Sequence, residues 1–137
     1  MQDRPTAAEL LEAALEAFTR ELLPETPKEK RYVALMIANA IGIVARDLAT
    51  STETLMEERK RLQALFKLPS SKISDKKALR DEVEALNCRL AEAIRDGAFD
   101  APGEAREKLK AHLLTTTREK LRVSNPKLFE QPEGKGE

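Results

Sequence analysis

The chain has 137 residues, 41% of them apolar and 35% charged, a balance that fits one globular domain with a single core and not a disordered chain. Its 24 basic and 24 acidic side chains cancel, which removes the long-range field that would draw it to nucleic acid or to an anionic membrane. The aromatic set, Phe18, Tyr32, Phe66, Phe99 and Phe129, is too sparse for a base-stacking platform, and the lone Cys88 excludes an internal disulfide.

The first helix is predicted from Ala7 to Leu23. Thr6 is its N-cap, Glu9 closes a capping box, and Pro24 ends the segment, with Leu11, Leu15, Phe18 and Leu22 as the buried stripe. The same punctuation returns at Thr26-Pro27-Lys28-Glu29, so Thr26 is expected to cap a second helix that reaches about Ala49. Its uncharged stretch, Tyr32 to Ala45, is fourteen residues, short of the ~20 that a membrane span needs, and reads as a buried core helix. Ser51 or Thr52 starts a third helix through Phe66, whose run Glu57-Glu58-Arg59-Lys60-Arg61 reads as a solvated face.

Pro69-Ser70-Ser71-Lys72-Ile73-Ser74 is the clearest internal loop. A fourth helix from about Asp75 to Asp96 places Leu79, Val83, Leu86, Leu90 and Ile94 on one side and stops at Gly97. A fifth runs to about Val123 with Leu109, Leu113, Thr117 and Leu121 in line, and Asn125-Pro126 ends it. No period-two alternation or hairpin turn occurs, so strands are not expected. The fold class that follows is all-α: a single-domain bundle of about five helices over residues 1–126, with the second helix buried at its centre and residues 127–137 as a disordered tail.

Much chemistry is excluded at this level. One His and one Cys cannot build a zinc or redox-metal site, and Glu9, Glu12 and Glu16 without partner histidines make no di-iron site. A Cys88–His112 nucleophile pair fails on direction, because Cys88 points about 160° from the apolar stripe of its helix. The five glycines are scattered and form no phosphate loop, so no cofactor and no autonomous catalysis are expected. The absence of a basic, then apolar, opening segment points to the cytoplasm.

What remains are polar positions that a bundle does not require. On the second helix Val33, Ile37, Ile41, Val44 and Leu48 form a stripe that a core explains, while Arg31, Asn39, Gly42 and Arg46 lie on the other side. Asn39, flanked by Leu35 and Ile43, is expected to be partly buried. Two readings stand for this side: Gly42 lets another helix approach closely and Asn39 bonds a neighbour, or Arg31 and Arg46 hold a carboxylate or phosphate in a groove floored by Gly42. Asn87, His112 and Thr116 fall at similar heights if the fourth and fifth helices form a hairpin. They read either as a half-exposed His beside a Thr bonded to its own helix, or as part of one polar pocket with Asn39.

The segments Met1-Gln2-Asp3-Arg4-Pro5-Thr6 with Glu9-Leu10-Leu11, Ile37-Ala38-Asn39-Ala40 followed by Ile43-Val44-Ala45-Arg46, Leu86-Asn87 to Ile94-Arg95 with Gly97, and Lys120-Leu121-Arg122-Val123-Ser124-Asn125-Pro126 carry a resemblance. The chain resembles a family of small uncharacterised bacterial proteins, a domain of unknown function, over most of its length outside Ser70 to Lys77. Ala34 and Met36 stand where that pattern has a bulkier or basic residue. The resemblance implies neighbours of aminoglycoside-phosphotransferase-like kinases and acyl-CoA dehydrogenases and an accessory role in acyl-CoA or hydroxyacid catabolism, without catalytic residues. The leading expectation is a non-catalytic interaction protein for such a kinase or acyl-CoA enzyme, with self-association as a homodimer also foreseen. The alternative is a binding module for an acidic metabolite or acyl-CoA on the Arg31-Asn39-Arg46 face.

Overall fold

The computed structural model describes residues 4–130, and no strand occurs among them. Helix α1 (Ala7–Ala17) continues into one π turn (Phe18–Leu22), and a 3-10 turn (Lys28–Lys30) leads into α2 (Arg31–Ala49). Helices α3 (Thr52–Leu65), α4 (Lys76–Arg95) and α5 (Glu104–Ser124) follow, with a single closing turn, α6 (Lys127–Glu130). The all-α class with five main helices therefore holds. The segment expected to be disordered from residue 127 begins instead with that helical turn, and its remainder, 131–137, lies outside the described residues, as does the opening 1–3.

Most helix ends follow from local hydrogen bonding. Thr6 and Glu9 close the capping box of α1, with Thr6 N–H donating to Glu9 Oε2 at 2.7 Å and Glu9 N–H to Thr6 Oγ1 at 3.2 Å. Ser51 caps α3 and Asp75 caps α4, each accepting from the backbone N–H three residues on. At the end of α4, Gly97 has φ +81°, Gly97 N–H donates to Ile94 O and Ala98 N–H to Ala93 O, the paired bonds of a Schellman turn. Thr26 does not cap α2. Its hydroxyl donates backward to Leu22 O at 2.9 Å, satisfying a carbonyl at the end of the preceding helix, and Lys28–Lys30 forms a 3-10 turn without a side-chain cap.

The chain divides into two compact units. Among the described residues the first comprises 4–50 together with Val123–Pro126, and the second comprises Ser51–Arg122 with Lys127–Glu130.

In the first unit α2 folds back along α1, and the face it uses is the side of small residues. Ala34, Gly42 and Ala45 are its buried positions, and a Cβ built on Gly42 would stand 3.4 Å from Leu15 Cδ2. This corrects the buried central second helix. Val33, Ile37, Val44 and Leu48 are 56%, 47%, 49% and 41% exposed, so the bulky stripe that periodicity assigned to the core faces outward. The reason is geometric: the small side lets two backbones approach, whereas the branched side would hold the helices apart.

The second unit has the conventional core. Leu62, Leu79, Val83, Leu86, Leu90 and Leu109 form one buried cluster, with Phe66, Leu68, Ile73 and Phe99 packed at its margin. Leu62 and Leu79 are sealed at 0% and 1% exposure. Helix α4 buries the predicted stripe except Ile94, which is exposed at its C-terminal end. Helix α5 departs from prediction: it packs along Leu109, His112 and Thr116, while Leu113 and Thr117 face outward. Replacing Leu62 by Ala should cost about 2–5 kcal/mol in urea unfolding, because the site is closed on all sides and leaves a cavity. A loss below about 1 kcal/mol would show that this position is not at the centre of the core.

Candidate functional site

The polar positions on α2 do not assemble into an anion clamp. Arg31 and Asn39 are exposed, so the expected partial burial of Asn39 is corrected; it lies on the wet flank between the packed and the outward apolar faces. Arg31 and Arg46 are fifteen residues apart on one helix, about 22 Å along its axis, too far to share one carboxylate. Arg46 is also engaged. Its Nε donates to Val123 O at 2.6 Å, and its guanidinium lies across Gly42, with Nη1 3.1 Å from where a Cβ would stand. A guanidinium on the last carbonyls of a helix satisfies an orphan acceptor and complements the negative end of the helix dipole. Arg46 thus fastens the closing segment Val123–Pro126 within the first unit.

The second unit holds the denser polar constellation, in the α3 run that sequence assigned to solvent. Glu58 and Arg59 are 8% and 7% exposed, because each sits a turn from both Leu55 and Leu62 on the packed side of the helix. Arg59 uses three donors: Nε to Glu82 Oε2 at 3.0 Å, Nη1 to Ser71 O at 2.7 Å and Nη2 to Ser71 Oγ at 2.5 Å. It therefore ties α4 and the loop after α3 to α3 in one fork, the geometry for which guanidinium is suited. Glu58 Oε1 accepts from Asn87 Nδ2 at 2.9 Å, and Arg61 Nη2 pairs with Glu119 Oε2 at 2.9 Å.

His112 and Thr116 stand next to this network without joining it. His112 is 2% exposed, not half exposed, and neither ring nitrogen has a hydrogen-bond partner. Thr116 Oγ1 is likewise buried and unpartnered, so it does not bond its own helix. Asn87 and His112 share Glu58 as a neighbour, the first through a hydrogen bond and the second through its charge. Burial pushes the imidazole below its ordinary value of 6.5, and the Arg61 charge acts in the same direction, against Glu58 and Glu119. His112 is accordingly a neutral ring at pH 7. Cys88 is exposed, which agrees with its predicted direction and leaves the sealed His112 without a thiol partner.

Three concavities flank the second unit's network, one of them, about 430 Å³, an open hollow beside Glu58, Asn87 and Cys88. Another of about 650 Å³ lies under the loop, with Arg59, Lys60, Lys72, Ser70 and Ser74 in its wall. A smaller one of about 290 Å³, mostly apolar, lies between α3 and α5 beside Leu65, Arg61 and His112. The concavity under the loop was not visible from the sequence, because the loop's approach to α3 depends on the buried Arg59.

Helices α2 to α5 and the polar network of the second unit fall within residues 24–128, which match the family described as Domain of unknown function (DUF6285). The chain belongs to this family. No curated protein and no solved structure matches it. Membership supplies no catalytic residue, so the chemistry of the family's fold rests on the side chains described above.

Two outcomes follow from these contacts. Because the folded chain takes up the His112 proton only below the pH at which the unfolded chain does, stability is fully present above about pH 6.5 and falls as pH drops below it. Thermal unfolding should thus shift down between about pH 7.5 and pH 5.5, and His112→Leu should flatten that slope; an unchanged slope in the variant would contradict the assignment. Arg59→Met should release the loop, raising amide exchange in residues 67–75 by at least about tenfold, since it removes a buried charge with three bonds.

Proposed function

We propose that this protein is a non-catalytic helical accessory protein that works by protein–protein contact. The observation that carries the reading is the outward face of α2, where Val33, Ile37, Val44 and Leu48, with Met36 and Tyr32 beside them, are all more than two-fifths exposed. Each such side chain gains about 1.5–3 kcal/mol on full burial, and an apolar patch of this length on a helix marks a docking surface. The polar network of the second unit supports the same reading, since its charges are consumed in holding the fold and its single His is sealed.

The partner class is an aminoglycoside-phosphotransferase-like kinase or an acyl-CoA catabolic enzyme of a bacterium, as the family resemblance implies. Co-expression with a neighbouring kinase of that class should give one co-eluting complex and a change in kinase activity of at least about twofold, roughly 0.4 kcal/mol on the barrier. Separate elution with unchanged activity would contradict the reading.

A second reading has one observation in its favour. The concavity of about 650 Å³ under the loop is of ligand size and carries Lys60, Lys72 and three serine hydroxyls, a lining suited to an acidic metabolite. It relocates the ligand from the Arg31-Asn39-Arg46 face to the second unit. In a thermal-shift screen with CoA esters and phosphorylated acids, a stabilising ligand should lose its effect in Lys60→Ala with Lys72→Ala. A shift that survives both substitutions would place the ligand elsewhere.

A further inference from the structure

The outward stripe of α2 has an internal symmetry. Val33 and Leu48, Ile37 and Val44, and Ala40 and Ile41 are pairs whose numbers sum to 81, so the stripe reads the same from either end about a point between residues 40 and 41. Under a two-fold axis perpendicular to the helix, a stripe with that property sets apolar positions opposite apolar positions, as an isologous dimer requires. The steps 33, 37, 40, 44 and 48 alternate three and four residues over most of their length, the spacing of helices packed nearly antiparallel.

We propose that the face is covered by a second copy of this chain, with α2 packed antiparallel on the second copy's α2, so that two α1–α2 hairpins close into a four-helix bundle. This inference rests on reading that face as a protein-docking surface, and it names the occupant. Three further observations favour a second copy. Val33, Ile37, Val44 and Leu48, with Met36 at their edge, leave roughly 450 Å² exposed per copy, so two copies bury about 900 Å², the size of a weak, concentration-dependent interface. A two-helix hairpin has a single layer, and doubling it gives the layered arrangement that buries both faces. Antiparallel pairing also sets the basic entry to one α2, Lys28, Lys30 and Arg31, beside the negative C-terminal end of the second copy's α2.

A lipid bilayer fits the same face less well. Residues Lys28–Ala49 are long and apolar enough to cross a membrane by length and composition. However, α2 is packed along α1, whose Glu9, Glu12 and Glu16 are exposed and would have to enter the hydrocarbon with it.

The test is the mass of the full chain in solution by light scattering across a dilution series. The expected species is twice the 15.3 kDa chain mass, and Ile37→Asp should halve it while circular dichroism stays helical. In a Cys88→Ser background, Ala40→Cys should cross-link between copies with a short bismaleimide. Val33→Cys should not, because the antiparallel register places its two copies about 22 Å apart. A wild-type monomer, a dimer indifferent to Ile37→Asp, or cross-linking through Val33→Cys would each overturn the proposal. So would flotation of the wild type with phosphatidylglycerol–phosphatidylcholine vesicles that Ile37→Asp abolishes. A dimer that ignores the kinase would instead sink the accessory reading and leave this inference standing.

Discussion

The close approach of α1 to α2 at Gly42 is the constraint on which the first unit depends. With no side chain at that position, Leu15 lies where a Cβ would be at contact distance, and Arg46 folds across the same gap to reach Val123 O. A Cβ there would meet Leu15 at ordinary contact distance, so the packing rests on the whole small side of α2, Ala34, Gly42 and Ala45 together. Once α2 spends its small side on α1, its branched side has nothing left in the hairpin to cover it. The exposed stripe is therefore a consequence of the packing choice, and the proposed interaction role rests on that stripe.

The second unit solves a different shortage. Helix α3 has too few apolar side chains to fill its packed face, so Glu58, Arg59 and Gln63 occupy positions beside Leu62. Buried charges of this kind are tolerable because they are paired and hydrogen-bonded, and Arg59 in particular replaces apolar contacts with directed ones to Glu82 and Ser71. The same polar layer meets α5 through His112 and Thr116, whose buried polar atoms find no partner. Leaving a neutral imidazole there costs stability, and it makes this layer the part of the core most sensitive to protonation.

The sequence was most readable where structure is local. The Thr6–Glu9 box and the Gly97 stop depend on residues within four positions of each other and occur as read, and of Ser51 and Thr52 it is Ser51 that caps α3. It was least readable where a helix has two candidate packing faces. Periodicity finds the bulky stripe of α2 but says nothing of the small one opposite, and the choice between them depends on α1. In α5 the Leu109–Leu113 line looked like the core, yet the packed line runs from Leu109 through His112 and Thr116, beside the Glu58 and Arg61 charges of α3. Two features were available and missed. Glu58 and Arg59 lie at core spacing from Leu55 and Leu62, and fifteen residues between Arg31 and Arg46 already forbid a shared ligand.

The orientation of α2 is the claim from which the rest descends, and nuclear Overhauser contacts within one chain report it directly. The packing described here predicts cross-peaks from the Leu15 methyl groups to the Gly42 Hα protons, with none from Leu15 to Ile37 or Val44 of the same chain. Strong contacts between Leu15 and the Ile37 and Val44 side chains, with Gly42 silent, would mean that the bulky stripe is the packed face and would contradict the account.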